Sequence, residues 1–252
     1  MQAAGLEYGE IFERRGRLYD DAMSAFPDAR REELEQAVAW ADVRAGHIVA
    51  DLPSGPGYLG PYLPANARVV HVETSRFFAA RCRAKRGDAA VVLGTFEALP
   101  LRRESVDRVI SLAALHHVAD VAAFLVEAYR VLRPGGALCI ADACRGSAVA
   151  EFLNGFVDAH NSMGHRGTFL APPSIADVET VGFRVEQSAM VSCPWWFAST
   201  RDMTTFVRRI FGLDRATPDE TLEGIRRHLG YATGADGCRM SWELLFVRAR
   251  RR

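Results

Sequence analysis

Short apolar runs alternate with helical patterns through the first half of this 252-residue chain, and this alternation constrains the fold more than any other feature. Strands that alternate with helices predict a parallel sheet with helices on both faces. The carboxyl ends of such strands lie along one edge, where ligands bind. The predicted strands are Ile48–Ala50, Arg68–Glu73, Ala89–Leu93, Asp107–Leu112 and Ala137–Ala141, and the predicted helices between them are Tyr58–Leu63, Ser75–Arg86 and Ala119–Leu132.

Further elements flank this core. Apolar spacing from Leu6 to Trp40 predicts two helices broken at Pro27, with Asp28 as the N-cap of the second. The later elements are predicted as helix Ala148–His160, a glycine-rich turn Asn161–Gly167, helix Ser174–Val181, strand Phe183–Val191, helices near 201–211 and 218–229, and strand Trp242–Val247. Together with the five strands of the core, strands Phe183–Val191 and Trp242–Val247 predict a seven-stranded, mostly parallel α/β sheet.

We expect a single domain, because a chain of this length buries one sizeable core. Residues 1–46 are predicted as an N-terminal helical cap and residues 47–143 as the ligand-binding core. Residues 144–172 are predicted as a helical insertion after the fifth strand, of the kind that becomes a lid or a substrate pocket. Residues 173–252 complete the sheet.

Composition narrows the classes of partner. Lys plus Arg and Asp plus Glu both number 31, so the net charge is zero, which argues against a nucleic-acid partner. No stretch has the apolar length of a membrane span, and the polar N-terminus does not resemble a signal peptide. The five scattered cysteines lack zinc-site spacing. We therefore expect a cytoplasmic protein, monomer or homodimer, with a small-molecule substrate and no metal.

A glycine-rich loop, Asp51–Gly60, follows the first predicted strand. Gly55 and Gly57 allow a ligand to approach the backbone closely, and Glu73 follows at the distance typical of an acid that binds ribose hydroxyls. By its glycines the loop suits NAD, FAD or S-adenosylmethionine alike. Asp51 directly before it would repel a pyrophosphate but accepts hydrogen bonds from an ammonium group such as that of a methionine moiety.

Downstream motifs favour one of these cofactors. In order and spacing they resemble the small-molecule type of class I S-adenosylmethionine-dependent methyltransferases, across about residues 47–143. The resemblance implies a Rossmann-like fold, with S-adenosylmethionine as cofactor and S-adenosylhomocysteine as product. The motifs are His71–Ser75, Gly94–Leu101, Ser105–Ser111, Ala114–Val118, Glu127–Gly136 and Ile140–Asp142.

The resemblance also implies roles for individual residues. The methionine end of the cofactor would be held by Asp51, Ser54, Gly55 and Gly57, the ribose by Glu73 with Thr74 nearby, and the adenine by Thr95, Phe96 and Glu97. Ser111 and Leu112 would face the sulfonium, and His116 and His117 would lie close to the path of the methyl group.

Two positions depart from the family pattern. Pro53 stands where a glycine is usual, which removes a backbone N–H from the first turn. Thr95 stands where an aspartate is common, so the adenine amino group lacks an ionic acceptor there. Both departures predict weaker contacts with S-adenosylmethionine, or a bound species other than S-adenosylmethionine itself.

Methyl transfer from a sulfonium needs alignment and, for a protonated acceptor, a base. Histidine suits that role near neutral pH, so His116 and His117 are candidates, although packing is an alternative role for either. His160 and His165 flank the turn that holds Asn161 and Arg166, and this cluster is either a substrate contact or a capped helix end.

Aromatic residues provide further candidates outside the core. Tyr19, on the N-terminal helices, is a candidate cofactor contact, with core packing as the alternative. Trp195 and Trp196 belong to an aromatic run that is suited either to an apolar substrate pocket or to a hydrophobic interface.

We expect a methyltransferase that acts on a small, natural-product-like acceptor in biosynthesis or secondary metabolism. The main alternative is an enzyme of the same fold that catalyses cyclisation or intramolecular alkylation on an intermediate derived from S-adenosylmethionine. This alternative stays open because fold does not determine function. Product mass distinguishes the two, since only methylation adds a CH₂ group to the acceptor. An NAD(P)-dependent oxidoreductase and a catalytically silent binding subunit remain as further alternatives.

Overall fold

Ten strands are arranged in two sheets. A computed structural model describes residues 8–87 and 89–252, without the side chains of residues 172–175. The strands are β1 Ile48–Asp51, β2 Arg68–Glu73, β3 Ala90–Leu93, β4 Val106–Leu112, β5 Leu132–Asp142, β6 Phe183–Ser192, β7 Trp195–Phe197, β8 Tyr231–Gly234, β9 Gly237–Met240 and β10 Glu243–Arg251. The main sheet has seven strands in the order β3-β2-β1-β4-β5-β10-β6. The five strands β3, β2, β1, β4 and β5 each pair in parallel with the next strand in this order, and β10 runs antiparallel to both β5 and β6.

Helices cover both faces of the main sheet. They are α1 Tyr8–Ala25, α2 Arg31–Trp40, α3 Arg76–Arg86, α4 Val121–Val131, α5 Ala148–Glu151, α6 Asp158–His160, α7 Pro172–Thr180, α8 Thr200–Phe211 and α9 Pro218–His228. A π-helical segment, Phe152–Val157, joins α5 to α6. Side-chain oxygens cap several of these helices, as when Thr217 and Glu220 form a capping box at the start of α9.

The core divides into two clusters because successive side chains of a strand point to opposite faces of the sheet. Val49 and Cys139 pack in one cluster with α2 and α8, whereas Ala50 and Ile140 pack in the other with α3 and α4. Large side chains such as Phe246 are fully buried, and each contributes about 1.5–3 kcal/mol relative to exposure. The predicted mostly parallel seven-stranded sheet with helices on both faces is thus confirmed.

The loop after β1 differs from the prediction. The expected helix Tyr58–Leu63 is a series of turns with one 3₁₀ turn at Gly60–Tyr62, because Gly55 and Gly57 take positive φ and prolines interrupt the segment. The loop therefore presents no α-helical N-terminus to a ligand.

Two other elements differ. Helix α2 begins at Arg31 without a side-chain cap, so Asp28 does not cap it. The carboxylate of Asp28 pairs with the side chain of Arg31 instead. The second sheet, in the order β7-β9-β8, was not predicted, because its strands are three or four residues long and carry little apolar alternation. The predicted helix start at Leu6 lies outside the described residues. Among those residues, no helix has the length and apolarity of a membrane span.

Candidate active site

A cavity opens at the carboxyl ends of β1 and β4, with α1 across it. Its walls combine charged, histidine and aromatic side chains with backbone of the loop after β1. The loop and the end of β4 contribute Asp51, Pro53, Ser54, Gly55, Leu112 and Ala113. Helices α1 and α2 contribute Tyr8, Phe12, Arg15, Tyr19, Met23 and Leu34. The remaining lining residues include His116, His117, His165, Trp195, Phe211 and Trp242. Ligands of this fold class bind at this edge of the sheet.

Asp51 ends β1 at the floor of the cavity. One of its carboxylate oxygens lies 3.1 Å from Nδ1 of the buried His71. Gly55 takes a φ of 51°, which lets the chain turn beside the carboxylate. Gly57 has a different use: a Cβ atom there would lie 2.9 Å from Sγ of Cys82, so this glycine lets the loop pack on α3, and it does not line the cavity.

Glu73 ends β2 and is fully buried. Backbone N–H groups of Gly55, Thr74 and Ser75 donate to its carboxylate over 2.7–2.8 Å. Burial nevertheless raises the pKa of Glu73 to about 7. An ionised carboxylate accepts about four hydrogen bonds, so a position remains for a ligand hydroxyl.

A second cavity lies on the other side of Tyr8 and His117, which line both cavities. Thr74, Thr95, Phe96 and Glu97 line it together with residues of α1. Oγ1 of Thr74 is buried without a hydrogen-bond partner among the described residues.

These groups fit S-adenosylmethionine. Along the strand ends lie a carboxylate suited to an ammonium group, a buried carboxylate with a position for a ligand hydroxyl, the hydroxyl of Thr74, and a slot beside Phe96 suited to a purine. Because Glu73 has no exposed surface, a ribose reaches it only after overlying side chains move.

Three histidine rings meet at the floor of the main cavity. The ring centroids of His116, His117 and His165 lie 4.1–5.4 Å apart, and one ring nitrogen of each lies within 4.8 Å of the others. Ala113 takes a φ of 50° just after β4, which turns the chain sharply before the histidine pair. Burial lowers the pKa values of His117 and His165 well below the usual 6.5, so both rings are neutral at pH 7.

Two of these histidines have partners that the sequence did not indicate as functional. Nδ1 of His116 lies 2.6 Å from Oδ1 of Asp142, and Nδ1 of His165 lies 3.0 Å from Oδ1 of Asn154. Asp142 ends β5, next to β4 in the sheet, so its position in the Ile140–Asp142 motif was an available signal. Asn154 lies in the π-helical segment, for which the sequence held no signal.

A buried ion pair supports the aromatic wall. Arg30 pairs with Glu33 across one helical turn, and both side chains are buried. Nε1 of Trp195 donates to the same carboxylate over 2.7 Å, and Arg30 also contacts the hydroxyl of Tyr19. Burial by itself lowers the pKa of Arg30, but the Coulombic attraction and hydrogen bonds of Glu33 and Tyr19 together raise this pKa above its usual value.

Arg15 lacks such a partner. Its side chain is 8% exposed, it donates to the carbonyl of Phe211 over 2.6 Å, and no acidic group of the described chain pairs with it. Burial lowers its pKa to about 10, so the guanidinium still carries its charge at pH 7. A buried cation on the cavity wall suits an anionic group of a ligand.

The structure does not bring every predicted residue to the cavities. His160 stacks on Phe156, Arg166 is exposed near Asp158, and Trp196 is 41% exposed and donates to Glu32. Asn161 donates to the Phe211 carbonyl and lines a separate surface pocket. Ser111 is buried in β4, and its Oγ has no partner among the described residues.

Known proteins resemble this chain in sequence and fold. Residues 50–140 match the family model described as a methyltransferase domain. A probable S-adenosylmethionine-dependent methyltransferase of Mycolicibacterium smegmatis is 32% identical over 57% of this chain and 54% of its own length. The malonyl-[acyl-carrier protein] O-methyltransferase of Yersinia pestis is 28% identical over 54% of this chain and 50% of its own length. The chain thus spans about half the length of the curated relatives it matches.

Among solved structures, the [4+2]-cyclase SpnF superposes with a TM-score of 0.66 at 14% identity, over 98% of both chains. At that identity the likeness concerns the fold alone. The family match runs from within β1 to within β5, and it includes Asp51, Glu73 and His116. Residues 50–140 of this chain therefore resemble a methyltransferase domain, and over 57% of its length the chain is similar to a relative named as an S-adenosylmethionine-dependent methyltransferase.

Proposed function

We propose that this chain transfers the methyl group of S-adenosylmethionine to a small, largely apolar, natural-product-like molecule bound in the main cavity. The observation that carries the proposal is the shared cavity: the loop after β1 and the histidine His116, held by buried Asp142, face the same space. Cofactor-side and acceptor-side groups are thus brought together, as a direct transfer requires.

Residues that line the two cavities, and Glu73 buried behind them, would hold the cofactor. Asp51 would bind the ammonium group, Glu73 and Thr74 the ribose, and the slot beside Phe96 the adenine. Tyr19 and Leu112 would border the methionine end. When bound, S-adenosylmethionine supplies a methyl group already activated by its sulfonium.

The chain's own chemical contribution would be to handle the acceptor's proton. In the tautomer in which Nδ1 of His116 donates to the Asp142 carboxylate, Nε2 keeps a lone pair. An acceptor O–H or N–H placed at His116 would give its proton to Nε2, and the resulting imidazolium would be stabilised by Asp142. Buried Trp195 and Trp242, together with partly buried Phe211, would exclude water, and Arg15 would bind an anionic group of the cofactor or acceptor.

Mass spectrometry tests the proposed reaction. The protein is incubated with S-adenosylmethionine and a library of phenols, alcohols and amines. We expect a product heavier by one CH₂ group, with one S-adenosylhomocysteine formed per product molecule. Turnover of a substrate to a product of equal mass, without S-adenosylhomocysteine, would instead support cyclisation. The structural likeness to SpnF is the reason to include polyene substrates in the library.

Cofactor binding should depend on pH through Glu73. In the ligand-free protein burial raises its pKa to about 7, whereas ribose hydroxyls donate to the ionised form. Binding is therefore strongest above that pKa and weakens as the pH falls through it. We expect the affinity for S-adenosylhomocysteine, measured by calorimetry, to fall about ten-fold between about pH 8 and pH 6.

The matched variant is Glu73→Gln, which keeps the size of the side chain and removes its charge. It should bind S-adenosylhomocysteine about ten-fold or more weakly at the higher pH, because charge-assisted hydrogen bonds contribute about 1.5–3 kcal/mol. It should also lose the pH dependence. An unchanged affinity in the variant would remove Glu73 from the ribose site.

A further inference from the structure

The histidine cluster has the composition of a metal site. His116, His117 and His165 form the one group of three or more potential metal-binding side chains found within the described residues. Three imidazole rings match the protein ligands of zinc sites that keep an open coordination position, and imidazole also suits the other late first-row metals. The sequence predicts no metal, because these histidines do not follow a zinc-binding spacing.

The distances permit coordination after a small adjustment of the side chains. One ring nitrogen of each histidine lies within 4.8 Å of the others, so a point exists within about 2.8 Å of all three. Zinc–nitrogen bonds measure about 2.0–2.1 Å. Each ring would therefore move by less than about 1 Å, which is within the range of small side-chain rotations.

Hydrogen bonds already orient two of the three rings for coordination. Asp142 accepts from the N–H groups of Ala143 and His116 as well as from the His116 ring. Its carboxylate is thus held in place, and the lone pair of the His116 ring is at Nε2. A metal-binding histidine that donates its other N–H to a carboxylate is a recurrent arrangement.

Asn154 orients the third histidine in the same way. Nδ2 of Asn154 donates to the Gly167 carbonyl over 2.9 Å, and its Oδ1 accepts from the Gly167 N–H over 2.8 Å. These two bonds determine which end of the amide faces His165. Nδ1 of His165, 3.0 Å from that Oδ1, must therefore donate, which leaves its lone pair at Nε2.

We propose that His116, His117 and His165 bind one divalent first-row transition-metal ion of the zinc class, with an open position toward the main cavity. The ring of His117, which makes no hydrogen bond with other described residues, completes the ligand set. Two histidines oriented by hydrogen bonds, to buried Asp142 and to Asn154, and a third facing the cavity are the arrangement that keeps such a position accessible to a ligand.

The role of the metal rests on the proposed function. An acceptor oxygen or sulfur bound at the open position would lose its proton to water, because a metal ion lowers the pKa of such a ligand. Its electron pair would then form the bond to the methyl carbon while the carbon–sulfur bond breaks and the sulfur keeps that electron pair. In the metal-bound protein, the cation thus replaces His116 as the group that promotes deprotonation.

Cobalt spectroscopy tests the site without any acceptor. Co²⁺ is titrated into the metal-free full chain, with any affinity tag removed, and visible absorption is followed. We expect one equivalent of Co²⁺ to bind with a Kd below about 10 µM, to give the intense bands of a tetrahedral ion, and to be displaced by Zn²⁺. Absence of these bands at stoichiometric Co²⁺ in the wild-type protein would overturn the proposal, whatever the variants do.

Matched variants locate the ion. His165→Gln should weaken Co²⁺ binding at least about 100-fold, and Asn154→Ala by about 10- to 100-fold. His160→Gln, close in sequence but stacked on Phe156 outside the cluster, should bind Co²⁺ as the wild type does. Equal losses in His160→Gln and His165→Gln would contradict the proposal.

S-adenosylhomocysteine calorimetry separates the two proposals. Cofactor binding and methyl transfer that persist in a chelator, without cobalt bands, would reject the metal and retain the methyltransferase. Cobalt bands without binding of S-adenosylhomocysteine would retain the metal site and reject the proposed methyltransferase activity.

Discussion

Asp142→Asn is expected to lower the kcat of methyl transfer by about 10²- to 10⁴-fold, the range attributed to a positioned general base. The carboxylate of Asp142 now accepts from the backbone N–H groups of Ala143 and His116 and from Nδ1 of the His116 ring. The amide of the variant has only one acceptor oxygen for these donors. The His116 ring would then be held in the opposite tautomer, or left unoriented, and the lone pair facing the cavity would be lost. The loss is expected whether that lone pair accepts a proton or binds a metal.

Two comparisons make this measurement specific. Affinity for S-adenosylhomocysteine in Asp142→Asn should stay within about two-fold of wild type, because the carboxylate contacts His116 and backbone rather than the residues assigned to the cofactor. Asp177→Asn, on the exposed side of α7, serves as the matched variant and should keep full activity. A normal kcat in Asp142→Asn would remove the His116–Asp142 pair from the mechanism.

Glu33→Ala is expected to destabilise the protein by about 3–5 kcal/mol, the usual effect of removing one partner of a buried ion pair. Arg30 would remain buried without its counter-charge, and Nε1 of Trp195 would lose its acceptor. For a chain of this size the loss corresponds to a fall in Tm of about 10 °C. Thermal unfolding followed by circular dichroism measures it.

The neighbouring residue provides the control. Glu32 accepts a hydrogen bond from Trp196, which is 41% exposed, so Glu32→Ala should change the stability by less than about 1 kcal/mol. Similar Tm values for the two variants would show that the Arg30–Glu33 pair contributes no more than a surface contact.

Residues at the ends of consecutive strands were the part of the site that the sequence could predict. Asp51 and Glu73 follow apolar runs, and parallel strands place their carboxyl ends along one edge. The family resemblance implied that His116 and His117 lie close to the path of the methyl group. The expected helix after Asp51 was wrong, because its apolar spacing was outweighed by the prolines and by the positive φ of two glycines.

Contacts between distant segments were beyond the sequence. The pairing of Asp142 with His116 depends on β5 lying next to β4, and the bond from Trp195 to Glu33 joins the unpredicted second sheet to α2. Asn154 meets His165 through a π-helical turn, which periodicity does not reveal. His160 and Trp196 carried the same local signals as His165 and Trp195, yet they lie outside the cavity, because orientation depends on packing.

Titration calorimetry with S-adenosylhomocysteine and, separately, NAD⁺ tests the central claim most directly. The arrangement of Asp51, Glu73 and Thr74 predicts binding of one S-adenosylhomocysteine per chain, with a Kd within the range of about 1 µM to 1 mM usual for enzyme ligands, and no binding of NAD⁺. Binding of NAD⁺ with no heat from S-adenosylhomocysteine would contradict the assignment of these cavities to S-adenosylmethionine.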